Sequence, residues 1–189
     1  MKSERGPRGH NAIHMAVVTT PEQFMHALAI RAVCFLENGE MTYEQTVDGN
    51  DYQCTHILAY HGSEPIGATR IRWFRDFAKI ERTAFRKQYR SARTLKACSD
   101  FIFNHVAQKG YDRLITHAEP SFARVWEMVL GFERVVDRPE FRYEAMEPLV
   151  ELVKRLTPGD AAVRPESDPW VLSRIEGHWD APHPFENVS

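Results

Sequence analysis

Residues 65–85 read PIGATRIRWFRDFAKIERTAF, and the fold turns on how that stretch doubles back on itself. Ile66–Phe74 and Phe77–Phe85 are rich in aromatic and β-branched side chains, and Arg75-Asp76 between them marks a reversal. Just upstream, Cys54–His61 has the same character, and Gly62-Ser63-Glu64-Pro65 makes a turn into Ile66. Three strands with short connections predict an antiparallel meander. Alternation places Ile66, Ala68, Arg70 and Arg72 on one face of the middle strand, with Ile71 and Trp73 on the other.

Working outward, Asn11–Val18 reads as a first strand, and Thr20-Pro21 starts a helix over Pro21–Glu37. Its apolar stripe contains Phe24, Leu28 and Phe35, with Arg31 on the same face. A cation there must snorkel, pair with a carboxylate or face a pocket. The acidic segment Glu40–Asp51 follows, with Asp48-Gly49-Asn50-Asp51 as a turn. Beyond the meander, Leu95, Cys98, Ile102 and Val106 give helical spacing over Arg90–Gln108, and Gly110 ends that helix. Tyr111–Ala118 is a strand and Pro120–Leu130 a helix stopped by Gly131. Phe132–Val136 and Phe141–Met146 suggest a closing hairpin, and Pro148–Leu156 a last helix. The order β-α-βββ-α-β-α-ββ predicts an α/β (α+β) domain with a mixed, mostly antiparallel sheet of six to seven strands and helices on both faces. It divides into a disordered lead over residues 1–10, a domain over 11–157, and a tail over 158–189. That tail is expected to pack on the domain through a few anchors such as Trp170 and Trp179.

The 189 residues carry 43% hydrophobic side chains, enough for one domain with its own core. A formal net charge of −2 speaks against a general nucleic-acid binder. The charge is segregated, however. Ten basic residues between Arg70 and Lys96 face only Asp76 and Glu81, which suits a phosphate-bearing or acidic partner or a solvated face. Cys34, Cys54 and Cys98 show no metal-ligand or redox spacing, so reduced thiols and no metal are expected. No stretch is apolar for long enough to span a bilayer, and the polar N-terminus lacks a secretory signal, which together suggest the cytoplasm.

The run Lys79-Ile80-Glu81-Arg82-Thr83-Ala84-Phe85, followed by a loop and a long helix, resembles the GNAT N-acyltransferase superfamily. Pro65-Ile66-Gly67-Ala68-Thr69-Arg70 is similar to that family's P-x-G-x-x-R strand. The Ala107–Tyr111 end of the central helix and the Leu130-Gly131-Phe132 step add to the likeness, which spans about Ile13 to Met146. Arg31, Phe35, Asp48, Asp51, Arg70 and Arg82 further resemble the acyl-homoserine-lactone synthases and related acyltransferases, where such groups organise the acceptor side. Lys79 stands where that pattern has a glutamate.

The resemblance implies acyl transfer, acetyl in the simplest case, from acyl-CoA to an amine by direct attack. Acyl carrier protein is an alternative donor, and a catalytically degenerate interaction module an alternative role. The acceptor could be a small molecule or a protein amine, S-adenosylmethionine included, and a homodimer would be usual. Glu81 is the first candidate base, against a plain pairing with Arg70 or Arg82; His117 and His56 are rivals. The donor would lie along Thr83 and Phe85 and over Arg90, Ser91, Ala92, Arg93, Thr94 and Leu95, the counterpart of the family's glycine loop. There Arg93 and Leu95 replace both glycines. No tyrosine acid is evident, since Trp126-Glu127 occupies that neighbourhood.

Overall fold

The computed structural model describes residues 12–37, 39, 41–142 and 147–186, so the lead expected over residues 1–10 lies outside them. The chain leaves β1 (Ile13–Val17) and enters α1 (Pro21–Phe35) at Thr20. Thr20 Oγ1 accepts the Gln23 N–H at 3.2 Å, and Gln23 Oε1 accepts the Thr20 N–H at 3.2 Å. A reciprocal cap of this kind stabilises a helix start by about 1 kcal/mol. After α2 (Tyr43–Thr46) and a 3-10 turn (Gly49–Gln53) comes the meander: β2 (Cys54–His61), β3 (Glu64–Trp73) and β4 (Ala78–Phe85). Then follow α3 (Ala92–Gln108), β5 (Arg113–Ala118), α4 (Pro120–Leu130), β6 (Glu133–Arg134), β7 (Val150–Arg155) and α5 (Pro169–Ser173). The sheet order is β1-β2-β3-β4-β5-β7-β6, antiparallel except where β4 meets β5.

Helices cover both faces of the sheet. On one side Ala27, Ile30, Cys34 and Phe35 of α1 pack against Leu58, Ala68 and Ala84. On the other, Cys98, Ile102 and Val106 of α3 and Trp126 of α4 pack against Ile57, Ile71, Ile80 and Leu114. Strand alternation sorts these side chains, except where the register slips in β3 and in β4. Ile66, expected beside Ala68, joins the α3/α4 side, because the register slips between Ala59 and Tyr60. One extra residue in β3 turns that side chain over.

Two other departures from the sequence reading concern the last strands. The helix expected over Pro148–Leu156 is β7, paired with β5 on one side and β6 on the other. Leu149, Leu152, Val153 and Leu156 have helical spacing, but β5 would otherwise present an open edge, and pairing along it overrides that local pattern. Of the hairpin expected over Phe132–Val136 and Phe141–Met146, the described residues form β6 and an isolated bridge between Phe141 and Leu149, and residues 143–146 lie outside them.

The tail returns to the α3 side. Trp179 stacks on His105 with centroids 5.2 Å apart, whereas Trp170 stays half exposed. Gly177 has φ +81° and sits where an added Cβ would meet Val17 at 2.4 Å, so both its backbone and its neighbour demand glycine. Beside it, Glu176 accepts hydrogen bonds from Thr55 Oγ1 at 2.6 Å and Lys109 Nζ at 3.0 Å, and lies 3.1 Å from His105 Nε2.

Candidate active site

Parallel β4 and β5 pair at two positions, Ala78 opposite Leu114 and Lys79 opposite Ile115. Thr116 Oγ1 reaches across to the Ile80 carbonyl at 3.2 Å, and past that link the residue pairing between the strands ends. On its other side β4 carries an extra residue, for Ala68 faces Ala84 while Arg70 faces Glu81. Arg82 takes up the bulge at φ +55°, a conformation that costs a non-glycine residue about 1 kcal/mol. The bulge is held from two sides. Thr69 Oγ1 lies 2.8 Å from Thr83 Oγ1 and donates to the Glu81 carbonyl at 3.2 Å, and Arg82 Nε donates to the Gln45 carbonyl at 2.7 Å. A bulge beside a parting pair of strands frees backbone groups that a regular ladder would consume.

On the α1 face, the residues singled out in the first half of the sequence meet. The turn over 48–53 fixes itself, with Asp48 Oδ1 accepting from Asn50 N and Asp51 Oδ2 from Asp48 N. The two carboxylates thereby face inward. Arg31, fully buried, is bound by Asp51 and by the Thr46 carbonyl. Arg70, only 1% exposed, donates to Asp48, Asp51 and Glu81, each at 2.8 Å. Arg82 lies 3.9 Å from Asp48. Phe35 is part of the packing beneath rather than of the charged group.

These carboxylates are ionised. The Arg70 hydrogen bonds hold Asp48 well below the usual range. For Asp51, burial pushes upward, but Arg31 and Arg70 outweigh it. Burial likewise pushes Glu81 upward, and Lys79 and then Arg70 bring it below normal. Glu81 accepts from Arg70 Nε and Nη2 through Oε2, and Lys79 Nζ is 2.8 Å from Oε1. A carboxylate so engaged is a weak proton acceptor.

His117 has a different setting. It lies on β5 just past the Thr116 link, with Nε2 3.6 Å from Glu151 Oε2 and Phe141 edge-on at 5.2 Å. Burial first, and then Lys79, lower its pKa below the ordinary imidazole value. Its Nδ1 is buried without a hydrogen-bond partner. A cavity of about 220 Å³ opens here, lined by His117, Arg138, Phe141 and Glu151 among others. His56, the other rival, is buried beside the Asp51 carbonyl at 3.0 Å and Cys54 Sγ at 3.2 Å. Ligand atoms of Asp51, Cys54 and His56 all lie within 4.8 Å of one another, yet the set does not fit a metal. Two guanidiniums already hold Asp51, and His56 Nε2 is taken up by the Asp51 carbonyl.

At the start of α3, Ser91 is the N-cap and its Oγ accepts the Thr94 N–H at 3.1 Å. Thr94 is buried and Leu95 packs on the core, while Ser91, Ala92 and Arg93 are exposed. The leucine in the second glycine position therefore turns inward. Arg90 Nε donates to the Phe85 carbonyl at 2.9 Å, tying this turn to the end of β4, and the Phe85 ring lies over Gly67. Trp126 packs edge-on against Phe132 at 5.1 Å, a core role.

Sequence reasoning passed over Thr69 and Thr116, which brace the bulge and the junction, and also Arg72, Glu151 and Arg138. Glu151 fell in the stretch read as a helix, so its place beside His117 carried no signal. Arg72 could have been found by its alternation with Arg70.

A Bacillus subtilis protein named as an acetyltransferase is 32% identical over 117 residues, 60% of this chain and 79% of its own. FeeM, an N-acyl amino acid synthase from uncultured soil microbes, has a TM-score of 0.64 at 12% identity over 77% of this chain and 92% of its own. A Bacillus subtilis acetyltransferase in complex with CoA has a TM-score of 0.58 at 11% identity, over 77% of this chain and 99% of its own. No family model matches the chain.

Proposed function

The chain belongs to the GNAT superfamily and is an acyltransferase, and from that premise we propose that it moves an acyl group, acetyl in the simplest case, from acyl-CoA to an amine by direct attack. The observation that carries this reading is the parting of β4 from β5 immediately beside the Arg82 bulge. The gap suits a pantetheine arm. The exposed first turn of α3 at Ser91, Ala92 and Arg93 suits the pyrophosphate, with helix N–H groups and the Arg93 charge supplying what the absent glycines would. Bound there, acyl-CoA supplies an electrophilic carbonyl and a thiol leaving group whose pKa, about 8.5 for a simple thiol, needs little help from an acid. That accords with Trp126 being a packing residue.

Backbone N–H groups released at the bulge would donate to the thioester oxygen as negative charge develops on it. His117 serves as the base. Its lowered pKa keeps the ring neutral near pH 7, and its buried Nδ1 makes no hydrogen bond that would compete for a proton. Glu151 beside Nε2 orients the ring. Glu81 acts through charge: with Lys79 and Arg70 it shapes the acceptor side rather than taking the proton.

Thiol release from acetyl-CoA with a panel of amines tests the reading, together with calorimetric binding of acetyl-CoA. Expected are saturable binding weakened by Arg93→Ala and turnover lost in His117→Gln. Absence of binding at millimolar acetyl-CoA would overturn it.

A further inference from the structure

We propose that the acceptor is a free amino acid with an apolar side chain, its carboxylate held by Arg72 and Lys79; this rests on the acyl-transfer reading above.

The starting point is a charge imbalance. Among the described residues around the β3–β4 pairing, four cations (Arg31, Arg70, Arg72 and Lys79) face three carboxylates, Asp48, Asp51 and Glu81. The nearby Glu151 does not redress this, because Arg138 occupies it through two 3.1 Å hydrogen bonds. The surplus reaches the surface at one place. Arg31 and Arg70 are buried, whereas the side chains of Arg72 and Lys79 are 30% and 20% exposed. Both turn to one oxygen of Glu81, at 3.7 and 2.8 Å, while the other oxygen holds Arg70. One carboxylate thus serves three cations, and the two outermost have donors to spare for a second.

The position matches an amino acid. Arg72 stands opposite Lys79, and Lys79 opposite Ile115, in one row across the sheet. His117 is two residues further along β5, a rise of about 6.6 Å. A carboxylate on Lys79 and an amine one carbon away, within hydrogen-bond reach of His117, bridge that rise. A lysine side chain or a protein N-terminus has no carboxylate so close to its amine. The flanks are aromatic: Arg72 lies over Phe74 at 4.9 Å, and Phe141 is 6.0 Å from Lys79 Nζ and edge-on to His117. An apolar side chain finds contact there. In the transfer the amine nitrogen forms the C–N bond, the thioester C–S bond breaks, and the amine proton leaves through His117 while the thiolate departs.

The test compares each amino acid with its decarboxylated twin: L-phenylalanine with phenethylamine, and L-leucine with 3-methylbutylamine. Thiol release from acetyl-CoA is expected to favour the amino acid by at least about tenfold in kcat/KM, the size of one charge-assisted contact. Arg72→Gln should erase that preference by raising KM for the amino acid, with KM for acetyl-CoA and for the plain amine unmoved. Calorimetry with N-acetyl-L-phenylalanine against N-acetylphenethylamine reads the same site without turnover. If no amine is acylated but N-acetyl-L-phenylalanine binds in an Arg72-dependent way, the acyl-transfer reading fails and the carboxylate site stands. If the plain amines react as well, or neither N-acetyl compound binds through Arg72, the inference is overturned.

Discussion

Two charged networks, one on each face of the sheet, solve the same problem in opposite ways. On the α3 side a single anion, Glu176, gathers Thr55, His105 and Lys109, and Trp73 donates to Thr55 at 2.9 Å behind it. All three meet one oxygen, Oε1, the charges of Glu176 and Lys109 offset each other, and the tail is anchored. On the α1 side the hub is a cation, Arg70, and the three carboxylates around it leave Arg72 and Lys79 to share one oxygen of Glu81. A balanced network closes a surface; an unbalanced one leaves a place for something to bind. The contrast separates a structural polar cluster from a functional one more clearly than burial does, since both are largely enclosed.

The α1-side network is most sensitive at Arg70. Arg70→Met strands Asp48, Asp51 and Glu81 without their shared partner, and stability should fall by about 3–5 kcal/mol in urea unfolding. A loss under about 1 kcal/mol would mean that the carboxylates find other partners and the hub is dispensable. Next in size is His117→Gln, expected to lower kcat about 100-fold with little change in melting temperature. Because burial and Lys79 lower the His117 pKa, the acid limb of wild-type kcat/KM should lie below pH 6.5, and the variant should lack that limb. An unchanged profile would remove His117 from the proton path.

Glu176→Gln probes the balanced side. Burial pushes this carboxyl upward, but His105, Thr55 and Lys109 outweigh it and bring the pKa from 4.5 to about 2. The folded value is the depressed one, so the stabilisation is whole above pH 4.5 and fades as pH falls toward about 2. With the side chain 37% exposed, solvent screening reduces the contribution to about 1 kcal/mol. The variant should be less stable by that amount at pH 7 and equal to wild type near pH 2, as read by thermal unfolding. Smallest is Arg93→Ala, for which KM for acetyl-CoA should rise about threefold at low salt and less at high salt. An effect on kcat instead would place Arg93 nearer the chemistry than the helix start allows.

Much of the fold was legible because its signals are local. Thr20 and Pro21 announced α1, Gly131 ended α4, and the Cys54–Phe85 meander followed from alternation and turns. β7 was not legible, since Leu149, Leu152, Val153 and Leu156 fit a helix until β5 asks for a partner. The Ile66 flip and the Arg82 bulge were hidden too, for a register slip depends on the neighbouring strand and leaves no mark in composition. The site shows the same division. Arg31, Asp48, Asp51, Arg70 and Arg82 were read as one acceptor-side group and do meet, with Phe35 packed beneath. That Glu81, read separately as a base, would be engaged by three cations depended on side-chain geometry across the strands. Leu95 illustrates the reverse case: as a letter it obstructs a glycine loop, yet in space it faces the core.

The two-position junction between β4 and β5 has a mechanical consequence. A seven-stranded sheet joined so briefly at its middle is two stiff plates sharing a short seam, and bending is easiest where the rungs are fewest. Thr116 is the rivet at the end of that seam, so swapping its hydroxyl for a methyl should let the plates yaw, tuning how wide a guest the crevice tolerates without touching any group that handles the proton.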